Sequence, residues 1–187
     1  RLGQISADLL DVPAVRLYHD NVLAKQAGCG RTPWHFDDHH FPLDTNDVVT
    51  AWVPAQPIPL EMGPLTFAYP LDVHELVNAV TFEKTGTGYD RGVSDVFSKN
   101  NVSVNETPFE LGEVSFHHNL NFHTASSNRT NRSRVALANT YYRDGARVVN
   151  APTMVSGDWQ KFMPNVKPGD VAASPLNPIC WPVKDKS

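Results

Sequence analysis

Residues 14 to 25, AVRLYHDNVLAK, set β-branched and aromatic side chains in near alternation with polar ones, the two-residue period of a strand or strand pair. DVVTAWVPA (47 to 55) repeats the signal and stops at Pro54, and GPLTFAYP (63 to 70) is a third strand bounded by Gly63 and Pro70. ELGEVSFHHNL (110 to 120) turns into another. SRVALANTYYRDG (133 to 145) is the clearest: Val135, Leu137, Asn139 and Tyr141 face one way, and Arg134, Ala136, Ala138 and Thr140 the other. VHELVNAVTF (73 to 82) is the best short helix. KTGTGYDRGVSDVFSKNNVSVNETP (84 to 108) is polar and poorly periodic and reads as a long loop. Such loops in compact domains are commonly functional, so this one is the candidate substrate lid. The tail, 150 to 187, is Pro-rich and coil-like. Fifteen prolines and eleven glycines cut the chain into short segments, with no internal repeat and no linker. Many short strands joined by Pro/Gly turns predict a single all-β domain, a sandwich or jelly-roll barrel with a cavity between facing strands.

Composition narrows the partners. With 187 residues, 41% of them hydrophobic and 19% charged, the chain can bury a sizeable core. A net charge of -4 argues against broad nucleic-acid binding, which needs a basic face. No apolar run is long enough to span a bilayer, so no membrane role is expected. RLGQISADLL lacks the apolar core of a signal peptide, and the first residue is Arg, not Met, which suggests a fragment. The two cysteines, Cys29 and Cys180, form no disulfide framework, and a reducing, cytoplasmic location is the expectation. The N-x-S/T sequons at Asn101, Asn105, Asn128 and Asn131 are read as chance products of Asn/Ser/Thr-rich loops.

The chemistry concentrates in RTPWHFDDHHF (31 to 41). On an extended strand, His35 and Asp37 point to the same face and could share one ion, with Phe36 turned away. Alone, H-x-D is a weak signal. Two His and one carboxylate on one face form the signature of non-haem Fe(II) oxygenases, with positions left open for a cosubstrate and O₂. Composition does not choose the second imidazole among His117, His118, His123 and the more remote His74. The segment after His123 does: FHTASSNRTNRSRVAL carries Arg134 at the head of the strongest strand. A dicarboxylate chelated to iron needs a cation for its far carboxylate, and the planar fork of Arg suits it. Ala136 and Ala138 on the same face leave room.

At these residues the chain resembles the phytanoyl-CoA dioxygenase-like family of Fe(II)- and 2-oxoglutarate-dependent oxygenases. VRLYHDNVLAKQAGCGRTPWHFD resembles the family's first core strands leading into T-x-W-H-x-D. VVTAWVPAQPIPLEMGPLTFAYPLDVH resembles its V-x-x-W block with the N-G-x-L and P-G-S-H after it. FHTASSNRTNRSRVAL resembles W-H-x-S-x-x-N-x-S-x-x-x-R, and GDVAASPLNPICW its Pro-rich C-terminal run. The resemblance implies a double-stranded β-helix, cupin-like, over residues 1 to 187, short of part of an N-terminal helical region. It implies His35, Asp37 and His123 as iron ligands, Arg134 as the clamp on 2-oxoglutarate, and Trp52 at the cosubstrate site. Relatives that halogenate replace the carboxylate by a small residue, so Asp37 implies hydroxylation or a related oxidation of a small molecule. The chain departs from the pattern where the usual Ser after the distal His is Ala125, with Thr124 or Ser126 as substitutes. It departs again at Met62, where the family has Asn, and at the turn around Leu71, Asp72 and His74.

Two readings of other classes stand beside this one: a jelly-roll metalloprotein using Zn²⁺ or Mn²⁺ at the same ligands, and an inactive cupin-like binding module. Asp38, His39 and His40 are expected to be solvated or to support the ligands, and His117 and His118 to serve the sheet or the cavity wall. His19, His74, Tyr141 and Tyr142 are read as structural.

Overall fold

The computed structural model describes residues 1–82 and 87–182. The chain folds as β1 (Val15–Lys25), β2 (Thr32–His35), β3 (Val48–Pro54), β4 (Leu65–Tyr69), β5 (Ser103–Glu106), β6 (Ser115–His118), β7 (His123–Ala125), β8 (Arg134–Arg143) and β9 (Ile179–Trp181). Its helices are α1 (Leu2–Leu10), α2 (Val73–Leu76) and α3 (Gly88–Asn100). The strands form two antiparallel sheets, β6-β3-β8-β1-β9 and β2-β7-β4-β5. Their inner faces enclose one cavity, lined by Trp52, Arg134 and Thr140 from the larger sheet and His35, Leu65 and His123 from the smaller. This is the jelly-roll, double-stranded β-helix arrangement.

Each outer face is covered, because a sheet with two apolar faces must bury both. α1 packs Ala7 onto Val15, Val49, Ala51 and Tyr141 of the larger sheet. It lies so close that a Cβ on Gly3 would sit 2.7 Å from the Cys180 carbonyl oxygen. Behind the smaller sheet, Val73 and Val77 join Tyr89 and Val93 of α3 against Ala68 and Phe122. The interior is filled at one end by Trp52, Ile58, Met62, Leu65 and Phe67. At the other it is filled by Tyr18, Val48 and Tyr142 packed on Trp159 and Met163 of the C-terminal segment.

The five strands expected from the hydrophobic pattern all form. Three local expectations change. The 84–108 segment is not a loop: 88–100 is a helix and 103–106 a strand, while 84–86 lie outside the described residues. Tyr89, Val93, Val96 and Phe97 carry a helical apolar stripe that Gly88 and Gly92 mask, both poor helix formers. Gly92 is needed for packing, since a Cβ there would meet Val80 at 2.6 Å. The helix at 73–82 is only one turn, Val73–Leu76, because β-branched Val77, Val80 and Thr81 favour other conformations. The coil-like tail ends in a short strand, β9, on the edge of the larger sheet. Asn177, fully buried, fastens this tail by donating to the carbonyls of Leu17, Tyr18 and Phe162.

Candidate active site

β2 pairs with β7 so that His35 stands directly across from His123, ring centroids 4.2 Å apart. The strand ends at His35. The backbone bends, and Asp37 (φ -90°, ψ -14°) caps a single 3₁₀ turn at Asp38–His40. Asp37 therefore does not reach the site as a strand neighbour of His35. The bend returns it there, held by its N–H donating to the Asn119 carbonyl at 2.8 Å. Asp38 accepts the Asn119 side-chain amide at 2.8 Å, which fixes the same turn.

Asp37 Oδ1 lies 3.6 Å from His35 Nε2 and 3.9 Å from His123 Nε2, and the three ligand atoms fall within 4.8 Å of one another. The far ring nitrogens are also placed. His35 Nδ1 is 2.8 Å from the Pro33 carbonyl oxygen and His123 Nδ1 is 2.9 Å from that of Asn121. A carbonyl can only accept, so each Nδ1 carries a proton, which in the neutral ring turns the Nε2 lone pair to the site. Burial, then the neighbouring His35, pushes the His123 pKa down to about 3, so the ring is neutral at pH 7. Burial alone would raise Asp37. His123, His117 and His35 around it outweigh that and hold it below the usual carboxylate range. Two imidazoles and one carboxylate on one face are a donor set that suits a divalent first-row metal.

His117, which the sequence left to the cavity wall, is buried and lines the cavity, its Nε2 3.6 Å from Asp37 Oδ2. Its ring sits 4.8 Å from that of His123, and its Nδ1 is buried without a partner. His118 turns the other way, accepting the Leu120 N–H. His74 and His39 pack at a tilt against Phe36 outside the site.

β8 carries Arg134 into the far end of the cavity, 5% exposed. Its guanidinium carbon lies 5.3 Å from the centre of the Trp52 ring, and it donates to the Gly63 carbonyl. Gly63 is required for this approach: its φ is +73°, and a Cβ would lie 2.2 Å from the Ser126 carbonyl oxygen. Trp52 Nε1 and Arg134 Nε are both buried without a hydrogen-bond partner. Directly across from Arg134 stands Lys25, 6% exposed, a residue the sequence reading missed. Its ammonium donates to the carbonyls of Gly30 at 2.7 Å and Ser126 at 2.9 Å. Among the described residues, neither cation has a carboxylate within ion-pairing distance. The two hydroxyls that flank Ala125 are occupied elsewhere: Thr124 donates to the Thr32 carbonyl and Ser126 to Glu106. Lys25 Nζ also lies 3.4 Å from the Ala125 carbonyl oxygen, which brings its charge beside that residue.

The whole cavity measures about 680 Å³, in the range of small-molecule sites. None of the described residues of 84–108 lines it. That segment lies behind β2, where Tyr89 donates to the Trp34 carbonyl at 2.9 Å and Arg31 pairs with Asp90. The mouth is bordered instead by His40, Phe41, Phe162 and the 155–158 stretch. His19 also lines it. Burial lowers the His19 pKa, so it is uncharged at neutral pH although the Asp37 carboxylate opposes the shift.

The phytanoyl-CoA dioxygenase family profile matches residues 2–136, most of the chain. The chain belongs to the phytanoyl-CoA dioxygenase family. Family membership makes it an oxygenase-type enzyme. Among solved structures, the fold is similar to that of the non-haem α-ketoglutarate-dependent carbocyclase SnoK from nogalamycin biosynthesis. The identity is 23%, with a TM-score of 0.74 over 96% of this chain and 67% of that one. It is similar to the epimerase SnoN solved with Fe³⁺, α-ketoglutarate and nogalamycin RO, at 21% identity and TM-score 0.70 over 95% and 69% of the two chains. It also resembles EctD from S. alaskensis solved with 2-oxoglutarate and 5-hydroxyectoine, at 16% identity and TM-score 0.64 over 94% and 61%. No curated protein matches the sequence. Among the described residues, no helix is long and apolar enough to cross a membrane.

Proposed function

We propose that this family member is an Fe(II)- and 2-oxoglutarate-dependent dioxygenase that hydroxylates a small molecule. His35, Asp37 and His123 hold the iron, and Arg134, Lys25 and the Trp52 indole hold the cosubstrate. The observation that carries the reading is the pair of buried cations, Lys25 and Arg134, with no carboxylate to neutralise them among the described residues. Burying two like charges side by side is costly unless an anion joins them. Trp52 Nε1 and Arg134 Nε at the same end are buried without hydrogen-bond partners, so this end of the cavity is short of acceptors.

When bound, iron and 2-oxoglutarate supply the activation of O₂ and the oxidation of a C–H bond, with succinate and CO₂ as the co-products. The chain contributes placement. The Pro33 and Asn121 carbonyls lock the imidazole orientations, and the Asn119 carbonyl locks the turn that brings in Asp37. Phe41 and Phe162 give the cavity an apolar wall beside the proposed metal site. A Zn²⁺ or Mn²⁺ enzyme without 2-oxoglutarate would leave Lys25 and Arg134 unexplained.

Anaerobic addition of Fe(II) and 2-oxoglutarate tests the proposal. A weak visible charge-transfer band should appear and should vanish in Asp37→Ala. On admitting O₂, succinate should form. A protein that binds Fe(II) without the band, and yields no succinate, would refute the reading.

A further inference from the structure

Charge is distributed unevenly along the cavity. β1 and β8 run in unbroken register from His19 opposite Thr140 to Lys25 opposite Arg134. Six residues of strand separate the two ends, about 20 Å. Among the described lining residues, the lysines and arginines are Lys25, Arg31 and Arg134. All three belong to the Lys25 end: Arg31 directly precedes Thr32, which pairs with Ala125 beside Lys25.

The other end is built from rings. A bulge between Leu17 and His19 brings both Tyr18 and His19 to the cavity. The His19 ring is 4.9 Å from Phe162 and 6.1 Å from Phe41, and Tyr18 is 5.0 Å from Phe41. These rings come from β1, the turn after Asp37, and the C-terminal segment, so three separate parts of the chain pack on one another as one aromatic wall of the cavity. The charged group at this rim, Asp158, is paired with Lys161. His19 Nε2 lies 3.5 Å from the side-chain amide nitrogen of Asn21, which also lines the cavity, a contact too long to occupy it fully.

This deepens the proposed function and rests on it, since that reading assigns the cationic end to 2-oxoglutarate. We propose that the aromatic end takes an uncharged substrate with a flat ring system, oriented by a hydrogen bond between a substrate hydroxyl or carbonyl and His19. Ring faces reward stacking against other rings. A phosphate, sulfonate or carboxylate brought here would lose its water and meet no lysine or arginine among the described lining residues. Coenzyme A thioesters and amino-acid-like zwitterions are therefore the wrong chemistry for this end.

Equilibrium dialysis tests it with three probes: 2-naphthol, its charged counterpart naphthalene-2-sulfonate, and octanoyl-coenzyme A. Each is measured against the full chain with Fe(II) and 2-oxoglutarate under anaerobic conditions, and against the metal-free chain. 2-Naphthol should bind at least about tenfold more tightly than the sulfonate or the thioester. Phe162→Leu, which keeps apolar volume against the core, and His19→Gln should each weaken 2-naphthol by about tenfold. Equal or tighter binding of either charged probe would overturn the assignment, as would wild-type naphthol affinity in both variants. The charge-transfer band separates the two ideas. If it never forms while 2-naphthol is retained and lost in the variants, the oxygenase reading falls and the ring site stands. If the band forms and 2-naphthol is not retained, the ring site falls alone.

Discussion

The affinity for 2-oxoglutarate should fall steeply above pH 8, and Lys25 should be the cause. Burial, then the facing Arg134, lowers the Lys25 pKa from 10.5 to about 8. That drop corresponds to roughly 3 kcal/mol disfavouring the protonated lysine in the folded protein. The pKa is depressed in a base, so the cost is absent above pH 10.5, grows as pH falls towards 8, and is present in full below 8. Burial accounts for the larger part of this cost, and the like charge of Arg134 across the strand pair adds to it. A bound dianion reverses the local field and returns Lys25 to its ordinary range. Binding then takes up a proton wherever the free lysine has lost it. Between pH 7 and 9.5 the dissociation constant for 2-oxoglutarate should rise by about thirtyfold. Isothermal titration calorimetry in buffers of different ionisation enthalpy reads both the affinity and the proton uptake. Lys25→Met should bind more weakly at pH 7 and show a flat profile. A flat wild-type profile, or a slope that survives in Lys25→Met, would refute the reasoning.

The other expectations are more direct. Asp37→Ala and His123→Ala should each abolish Fe(II)-dependent succinate formation and reduce Co(II) affinity in calorimetry; full activity in His123→Ala would remove the basis for the metal assignment. His117→Ala should lower metal affinity by about 10- to 100-fold without unfolding the chain, because it frees the outer oxygen of Asp37, and the Co(II) absorption spectrum should shift with it. Gly63→Ala should cost at least about 1–3 kcal/mol in urea unfolding, from its positive φ and the collision with Ser126, and should weaken 2-oxoglutarate because the Gly63 carbonyl holds Arg134. Asn128→Ala should destabilise by about 2–4 kcal/mol in the same assay, since its buried amide donates to the carbonyls of Lys25, Gln26 and Arg132. The same burial makes its sequon unusable in the folded state, since Asn128 is 1% exposed.

What could be read from the sequence was local, and what could not was register. Strand alternation put Arg134 on the face shared by Ala138 and Thr140, and those residues do line the cavity together. The spacing of His35 and Asp37 pointed to a shared ion, although a bend and not a continuous strand brings them together. The helix at 88–100 escaped because two glycines interrupt its polar-apolar count, and the stripe shows only once Phe122 and Ala68 are known to lie beneath it. His117 and His118 are indistinguishable by type; pairing of β6 with β3 decides that the first enters the cavity. Lys25 is the sharpest case. A lysine at a strand end reads as solvated, and its burial comes only from the ladder that sets it opposite Arg134. A one-residue slip of that ladder would turn Lys25 outward and His19 with it, because both point inward on the same two-residue period. The cationic end and the aromatic end of the cavity are thus fixed by a single register, and any change that shifts β1 against β8 should impair cosubstrate and substrate binding together.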